Sequence, residues 1–352
     1  MSDLLNMMMD ATKNEDARRV GDGVIGDING FVDTGSYTFN ALLSGSVHGG
    51  FPDNKILAIA GESATGKTYF TLGMVQRFLQ DRPEGIVVYF DSEQAVTSSM
   101  FTERGIDPSR VAVIPIDTVE KFRHQAISMV DNYRELPKKD RKPMMIVLDS
   151  LGMLSTEKEM ADTADGKTTR DMTRAQIVKS TFRTLTIKLG AAGIPMIMTN
   201  HTYAVVGSMF PTKEMGGGSG LKYAASTIVY LTKKKVKEGT DVIGNIIHCK
   251  LHKSRMTKEN SMVDVMLDYE KGLNPYYGLV DIALDHGIFD KLGTRIQVAD
   301  GSKVYEKAIY KDPEKYFTSE VMKRIDEAVA KEFRYGSSNM TVEEEMEQDN
   351  DD

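Results

Sequence analysis

The eight residues Gly61, Glu62, Ser63, Ala64, Thr65, Gly66, Lys67 and Thr68 follow the apolar run KILAIA and precede a helix-length segment. They form G-x-x-x-x-G-K-[ST], a pattern whose chemistry is phosphate binding. The glycines let backbone N–H groups turn around an anion, and a following helix adds its positive N-terminal end. Lys67 is placed to reach the β and γ phosphates of a nucleotide, and the Thr68 hydroxyl to ligate Mg²⁺. A purely structural glycine turn leaves the Lys–Thr pair unexplained.

Such a loop needs an acid at the tip of a neighbouring strand to hold the metal's water shell, and MMIVLDS supplies Asp149. An Asp in that place also caps turns. Hydrolysis needs a group that orients or deprotonates water. The run GIVVYF ends in DSE, which puts Asp91 and Glu93 just past the carboxyl end of a strand, where ligands sit in open α/β sheets. Glu93 is the candidate base, although the spacing equally suits an acid at a helix N-terminus.

The elements that must position these groups are legible as alternation. Strand-length apolar runs cover 55–60, 85–90, 110–116, 143–149 and 194–200, and helix-length segments cover 68–80, 119–134 and 172–189. Strands apolar at nearly every position, separated by helices, predict a mostly parallel sheet covered on both faces, an α/β fold. Between 226 and 269 the runs are joined by short turns, which predicts an antiparallel extension. The chain divides into an N-terminal arm over 1–33, a core over 34–272, a small helical C-terminal unit over 273–336 and an acidic tail over 337–352.

Composition narrows the class. The 352 residues are 41% apolar and 27% charged, ordinary for a soluble globular protein. No apolar run approaches the roughly 18 residues that span a bilayer, and the N-terminus lacks the basic flank of a secretory signal. A cytoplasmic location and no membrane partner are expected. Cys249 is the single cysteine, which excludes an internal disulfide framework. The net charge of −7 is local, because the last ten residues, EEEMEQDNDD, hold seven acids and no base. Subtracting those seven from 51 acids leaves 44, equal to the 44 Lys and Arg. A like-charged block of this kind repels itself and solubilises, or competes with DNA for a basic groove.

The strings TGS…ALLSG…GGFP, GESATGKT, YFDSE, IVLDSLG, TNH, GGGSGLKYAAS and HKSR, in this order, resemble the RecA family of homologous-recombination ATPases. Within it the chain looks most like the UvsX recombinases of tailed phages, which share DSLG, DMTRA, NHTY and MGGGSG. The resemblance implies a RecA-like P-loop core that polymerises on single-stranded DNA with ATP, pairs it with homologous double-stranded DNA and exchanges strands. It implies a homo-oligomeric filament in which the N-terminal arm contacts the next subunit. A single-strand-binding protein and a mediator are expected as further partners.

Carried over by position, the resemblance makes Lys67, Thr68 and Asp149 the ATP and Mg²⁺ residues and Glu93 the catalytic glutamate. His201 matches the residue that senses the γ phosphate. Lys253 and Arg255 match the pair that completes the neighbour's ATP site, Lys222 and Tyr223 the pair that couples subunits. Met100 replaces the Tyr that usually stacks on adenine, so that contact falls to Phe101 or to Met100 itself.

Two stretches after strand ends match the family's DNA-binding loops. The first, 157–174, is polar and holds Lys158, Lys167, Arg170 and Arg174. The second, 201–220, holds Tyr203, Phe210 and Lys213 and the glycines Gly216, Gly217 and Gly218. Basic groups bind phosphates, aromatic rings stack on bases, and glycines let the backbone approach the strand. Lys179 and Arg183 extend the basic set along a helix. Two other readings share the P-loop: a DnaB-type hexameric replicative helicase, which normally carries an extra N-terminal domain, and an ATP-gated DNA-binding scaffold that exchanges no strands.

Overall fold

Each long apolar run carries side chains for two faces, and in a strand these must alternate. A computed structural model describes residues 2–14, 17–167, 173–204, 213–216, 222, 224–269 and 272–336. Its labelled elements are α1 (Ser2–Ala11), α2 (Tyr37–Ser44), β1 (Ile56–Gly61), α3 (Lys67–Asp81), β2 (Ile86–Asp91), α4 (Ser98–Thr102), β3 (Val111–Pro115) and α5 (Val119–Glu135). They continue with β4 (Met144–Asp149), α6 (Glu157–Ala164), α7 (Arg174–Ala192), β5 (Met196–Ala204), β6 (Lys213–Met215), β7 (Thr227–Glu238) and β8 (Asp241–Lys253). The last are β9 (Met262–Asp268), β10 (Gly272–Leu273), α8 (Leu279–Asp285) and α9 (Ser319–Phe333).

Ten strands form one sheet in the order β10-β9-β8-β7-β1-β5-β4-β2-β3, with β6 antiparallel to β5. From β7 to β3 neighbouring strands are parallel, and β8, β9 and β10 add the antiparallel extension. The extension begins one strand later than the turn pattern suggests. β7 itself pairs in parallel with β1, from Leu57 opposite Thr227 to Gly61 opposite Leu231.

The alternation is complete in the central strands. Leu57, Ile59, Val87, Tyr89, Met145, Val147 and Ile197 pack on one face with α2 and α3. Ile56, Ala58, Ala60, Val88, Phe90, Ile146, Leu148 and Met198 pack on the other with Phe122 of α5 and Phe182 of α7. Each buried Val, Leu, Ile, Phe or Met among them contributes about 1.5–3 kcal/mol, so the sheet is clamped from both sides. β3 is the exception: at the edge of the sheet it leaves Val113 42% exposed.

The C-terminal segment carries, besides its helices, a three-stranded sheet of Asp290–Leu292, Arg295–Gln297 and Lys303–Val304. Short, mostly polar strands of two or three residues leave too little periodicity to read. Val321, Ile325 and Val329 of α9 join the same apolar cluster as Leu42 and Leu43 of α2. Asp326 fixes this packing by accepting from Val47 N at 2.8 Å and Ser46 Oγ at 2.7 Å. At the other end, α1 leaves Leu4, Leu5, Met7 and Met8 more than half exposed. Among the described residues no helix is long and apolar enough to cross a membrane.

Candidate nucleotide-binding site

β1 delivers Gly61 to the carboxyl edge of the sheet, and α3 departs from Gly66. A Cβ on Gly61 would lie 2.7 Å from Thr65 Oγ1 and 2.9 Å from the Leu231 carbonyl. Gly66 has φ +95°, a region open to glycine, and sits against Leu267 and Ile247. No side chain caps the first turn of α3, so its free N–H groups point toward whatever anion fills the loop. Lys67 Nζ folds back onto the loop, donating to Gly61 O at 3.0 Å and Glu62 O at 2.9 Å. Burial pushes the Lys67 ammonium down, against the opposing pull of Glu93 and Asp149.

Asp149, at the tip of β4, is 5% exposed. Its carboxylate accepts from Thr68 Oγ1 at 2.8 Å, from Tyr89 OH at 2.7 Å and from Thr199 Oγ1. Burial, then the Asp149 charge, pushes the Tyr89 phenol well up, so Tyr89 stays a donor. A carboxylate and a hydroxyl side by side at the mouth of an amide-lined loop are the hard oxygen set that suits Mg²⁺ beside a phosphate. The residues present therefore fit a nucleotide and its metal.

The structure separates the two acids of DSE. Asp91 is spent on backbone, accepting from Glu93 N at 3.1 Å, Ala95 N at 3.4 Å and Val96 N at 3.3 Å. Glu93 is left with its carboxylate 33% exposed, facing His201 Nε2 at 3.0 Å and Ser150 Oγ at 2.8 Å. Burial raises the Glu93 carboxyl, but hydrogen bonds from His201 and Ser150, with the His201 and Lys67 charges, outweigh it and hold the group below the usual range.

Four further residues, outside the set expected from the sequence, support the site. Ser92 Oγ donates to Ser150 O at 2.7 Å and accepts from Ser150 N at 2.8 Å. A Cβ on Gly152 would lie 2.9 Å from Asn200 Oδ1 and 3.1 Å from His201 Cδ2, so this glycine admits the tip of β5. Asn200 Nδ2 donates to Gly216 O at 2.7 Å, and Gly216 N donates to His201 O at 3.1 Å. Ser92, Ser150, Gly152 and Asn200 all stand inside or beside the strings YFDSE, DSLG and TNH; their adjacency to Glu93, Asp149 and His201 was the available signal.

One expectation is corrected. Phe101 is only 4% exposed and meets Tyr89 edge-on with ring centroids 5.9 Å apart. It belongs to the core, its ring covered by Tyr89 and the surrounding apolar cluster, and presents no open face on which a base could stack. Met100 is half-buried against the same cluster. A cavity of about 660 Å³ lies nearby on the flank of α3, lined by Tyr69, Arg104, Tyr269 and Tyr276 among others, and does not include Lys67.

Of the expected DNA-contacting residues, Tyr203, Lys213 and Gly216 are brought together where β5 pairs with β6, and a Cβ on Gly216 would lie 3.1 Å from the Tyr203 ring. The stretch 157–174 opens as a helix, α6, with a capping box of Thr156 and Glu159, so Lys158 is helical. Lys167 pairs with Asp165 at 2.9 Å. The Arg174 guanidinium binds the carbonyls of Leu151 and Leu154, which fixes the turn after Asp149 and reduces its freedom to reach DNA. Lys179 and Arg183 lie on α7. Tyr203 on β5 is 57% exposed, and the backbone of Lys213 on β6 pairs with Ala204. Arg170, Phe210, Gly217, Gly218 and Tyr223 lie outside the described residues.

Lys253 and Arg255 are not brought to the loop of their own chain. Lys253 pairs with Ile228, which pairs with Ala58, whereas the phosphate loop begins at Gly61 on the opposite edge of the sheet. Lys253 Nζ donates instead to Lys222 O at 2.5 Å and Ala225 O at 2.8 Å. Arg255 is exposed.

Parallel sheet, glycine loop running into a helix, and strand-end Asp and Glu together define a nucleotide-binding core of the P-loop class. A family model described as the RecA N-terminal domain matches residues 9–274, and the chain belongs to the RecA family. It is 34% identical over 252 residues to the recombination and repair protein of Enterobacteria phage T4, covering 72% of this chain and 63% of that protein. It is 28% identical over 281 residues to Protein RecA of a Nocardioides species, with 78% and 75% covered. To Protein RecA of Malacoplasma penetrans it is 26% identical over 275 residues, with 75% and 79% covered. The chain thus spans slightly less than two thirds of the phage relative's length.

Proposed function

We propose that this chain is a cytoplasmic, single-stranded-DNA-dependent ATPase that forms filaments on DNA and exchanges strands between homologous molecules. The reading rests on one connected observation: Glu93, beside the phosphate loop, contacts His201, and the next residue back, Asn200, holds Gly216 of the glycine segment. A state change at the nucleotide can thereby reach the segment that resembles a DNA-binding loop.

In this reading ATP is the substrate. Loop amides and Lys67 hold its phosphates, Lys67 exchanging the Gly61 and Glu62 carbonyls for phosphate oxygens. Thr68 and Asp149 would hold Mg²⁺, which when bound neutralises phosphate charge. Glu93 orients water and takes its proton while the water oxygen bonds to the γ phosphorus; the bridging bond breaks and ADP leaves with the electron pair. Ser150 and His201 fix the Glu93 carboxylate during this step. Lys253 and Arg255, remote from their own loop, complete the site of the next protomer in a head-to-tail filament. Lys222 and Tyr223 lie at that junction. The arm 1–33 contacts the neighbouring subunit, 34–272 is the ATPase core, 273–336 the C-terminal unit and 337–352 the tail. A single-strand-binding protein and a mediator assist loading.

A D-loop assay tests the whole reading. The expected result is joint-molecule formation with ATP and homologous duplex but not heterologous duplex. Duplex unwinding independent of homology would indicate a helicase instead, and ATP-gated DNA binding without joint molecules a scaffold.

A further inference from the structure

β7 does not stop where its partner does. It passes Gly61 at Leu231 and runs on to Glu238, beyond the end of β1. Lys233, two residues after Leu231, projects on the same face and therefore stands beside the phosphate loop. Its Nζ donates a hydrogen bond to the carbonyl of Ala64. Ala64 has φ 57°, the left-handed region that costs a residue with a Cβ roughly 1–2 kcal/mol. The sides of the loop are already fixed, by the close approach of Thr65 and Leu231 to Gly61 and by Leu267 and Ile247 against Gly66. The Lys233 contact is a third support, at the one strained non-glycine residue of the loop.

We propose that Lys233 is a positioning residue for the phosphate loop. By bonding the Ala64 carbonyl it keeps Ala64 left-handed, and so sets the plane of the Ala64–Thr65 peptide, whose N–H donates to Glu62 O at 3.4 Å within the loop. This rests on the phosphate-site reading and adds to it a lysine from a different strand, outside the G-x-x-x-x-G-K-[ST] pattern. In this proposal the hydrogen bond acts on backbone geometry rather than on the nucleotide.

The test uses the full chain, a fluorescent ATP analogue and no DNA. Lys233→Met keeps the stem and removes the donor, and should weaken binding about tenfold, the effect of losing one charged hydrogen bond. Lys233→Arg should stay within about threefold of the parent because a donor remains. Ala64→Gly removes the strain, so Lys233→Met combined with Ala64→Gly should recover to within about threefold of Ala64→Gly alone. Amide exchange at residues 64–67 without nucleotide should quicken in Lys233→Met. A double variant as weak as Lys233→Met alone would mean that the lysine acts on the nucleotide directly and overturns the proposal. So would parental affinity or unchanged exchange in Lys233→Met, with the phosphate site left standing. Undiminished binding by Lys67→Ala would remove the phosphate site and this proposal together.

Discussion

Glu93 Oε1 lies 3.0 Å from His201 Nε2, joining the acid that follows β2 to the tip of β5, 108 residues further along the chain. Ser150 supplies the same oxygen with a second donor at 2.8 Å. Both donors favour the ionised form, so Glu93 is a base down to a lower pH than an ordinary glutamate. The acid limb of turnover should therefore fall below the usual carboxylate range. Ser150→Ala should move that limb up toward the usual carboxylate range, because it removes one of the two side-chain donors that favour the ionised form. The linked stability has the same sign: it is present above the unfolded-state value and lost as pH falls through the lower folded value. pH–rate profiles of the two proteins check this, and coincident acid limbs would exclude the arrangement.

Lys67→Ala removes the only cationic side chain of the loop. Turnover should drop at least about 100-fold with the fold intact, because the Lys67 ammonium bonds only loop carbonyls in this structure. A phosphate-release assay with single-stranded DNA, alongside circular dichroism, separates lost chemistry from lost structure.

Phe101 is a core residue, and its truncation tests that directly. Phe101→Ala should destabilise by about 3–5 kcal/mol, visible as a lower denaturation midpoint. An unshifted midpoint combined with weaker nucleotide binding would return Phe101 to the base site.

Because Lys253 and the phosphate loop occupy opposite edges of one sheet, defects in them should complement between subunits. Mixing Lys67→Ala with Lys253→Ala protein should restore turnover at the junctions where both functional groups meet, about a quarter of them at equal ratio for a head-to-tail interface. Each variant alone should be inactive. No recovery on mixing, under conditions where both assemble on DNA, would place Lys253 outside the site.

Removal of residues 343–352 takes away seven acids. If the tail competes with DNA, the truncated chain should bind single-stranded DNA several-fold tighter at low salt, with the advantage shrinking as salt rises. Equal affinity at all salt concentrations would leave the tail a solubilising segment. Fluorescence anisotropy titrations at two or three ionic strengths distinguish these outcomes.

What the sequence determined by itself was local. A glycine loop between a strand and a helix, an Asp ending an apolar run and a run of alternating elements are short-range patterns, and Gly61 to Thr68, Asp149 and the parallel sheet follow from them. The choice between Asp91 and Glu93 was not local. Both stand in DSE, and only folding shows that the Asp91 carboxylate is consumed by three backbone amides while Glu93 meets Ser150, just past the end of β4, and His201 of β5. Phe101 and Met100 are likewise neighbours in sequence, and packing against Tyr89 decided which was core. Strand order decided the rest: β7 lies beside β1, so Lys233 reaches Ala64, while β8 turns back and carries Lys253 to the far edge. Hydrogen bonds and contacts between residues a hundred positions apart depend on which strands become neighbours, and that is settled by burying both faces of the whole sheet at once.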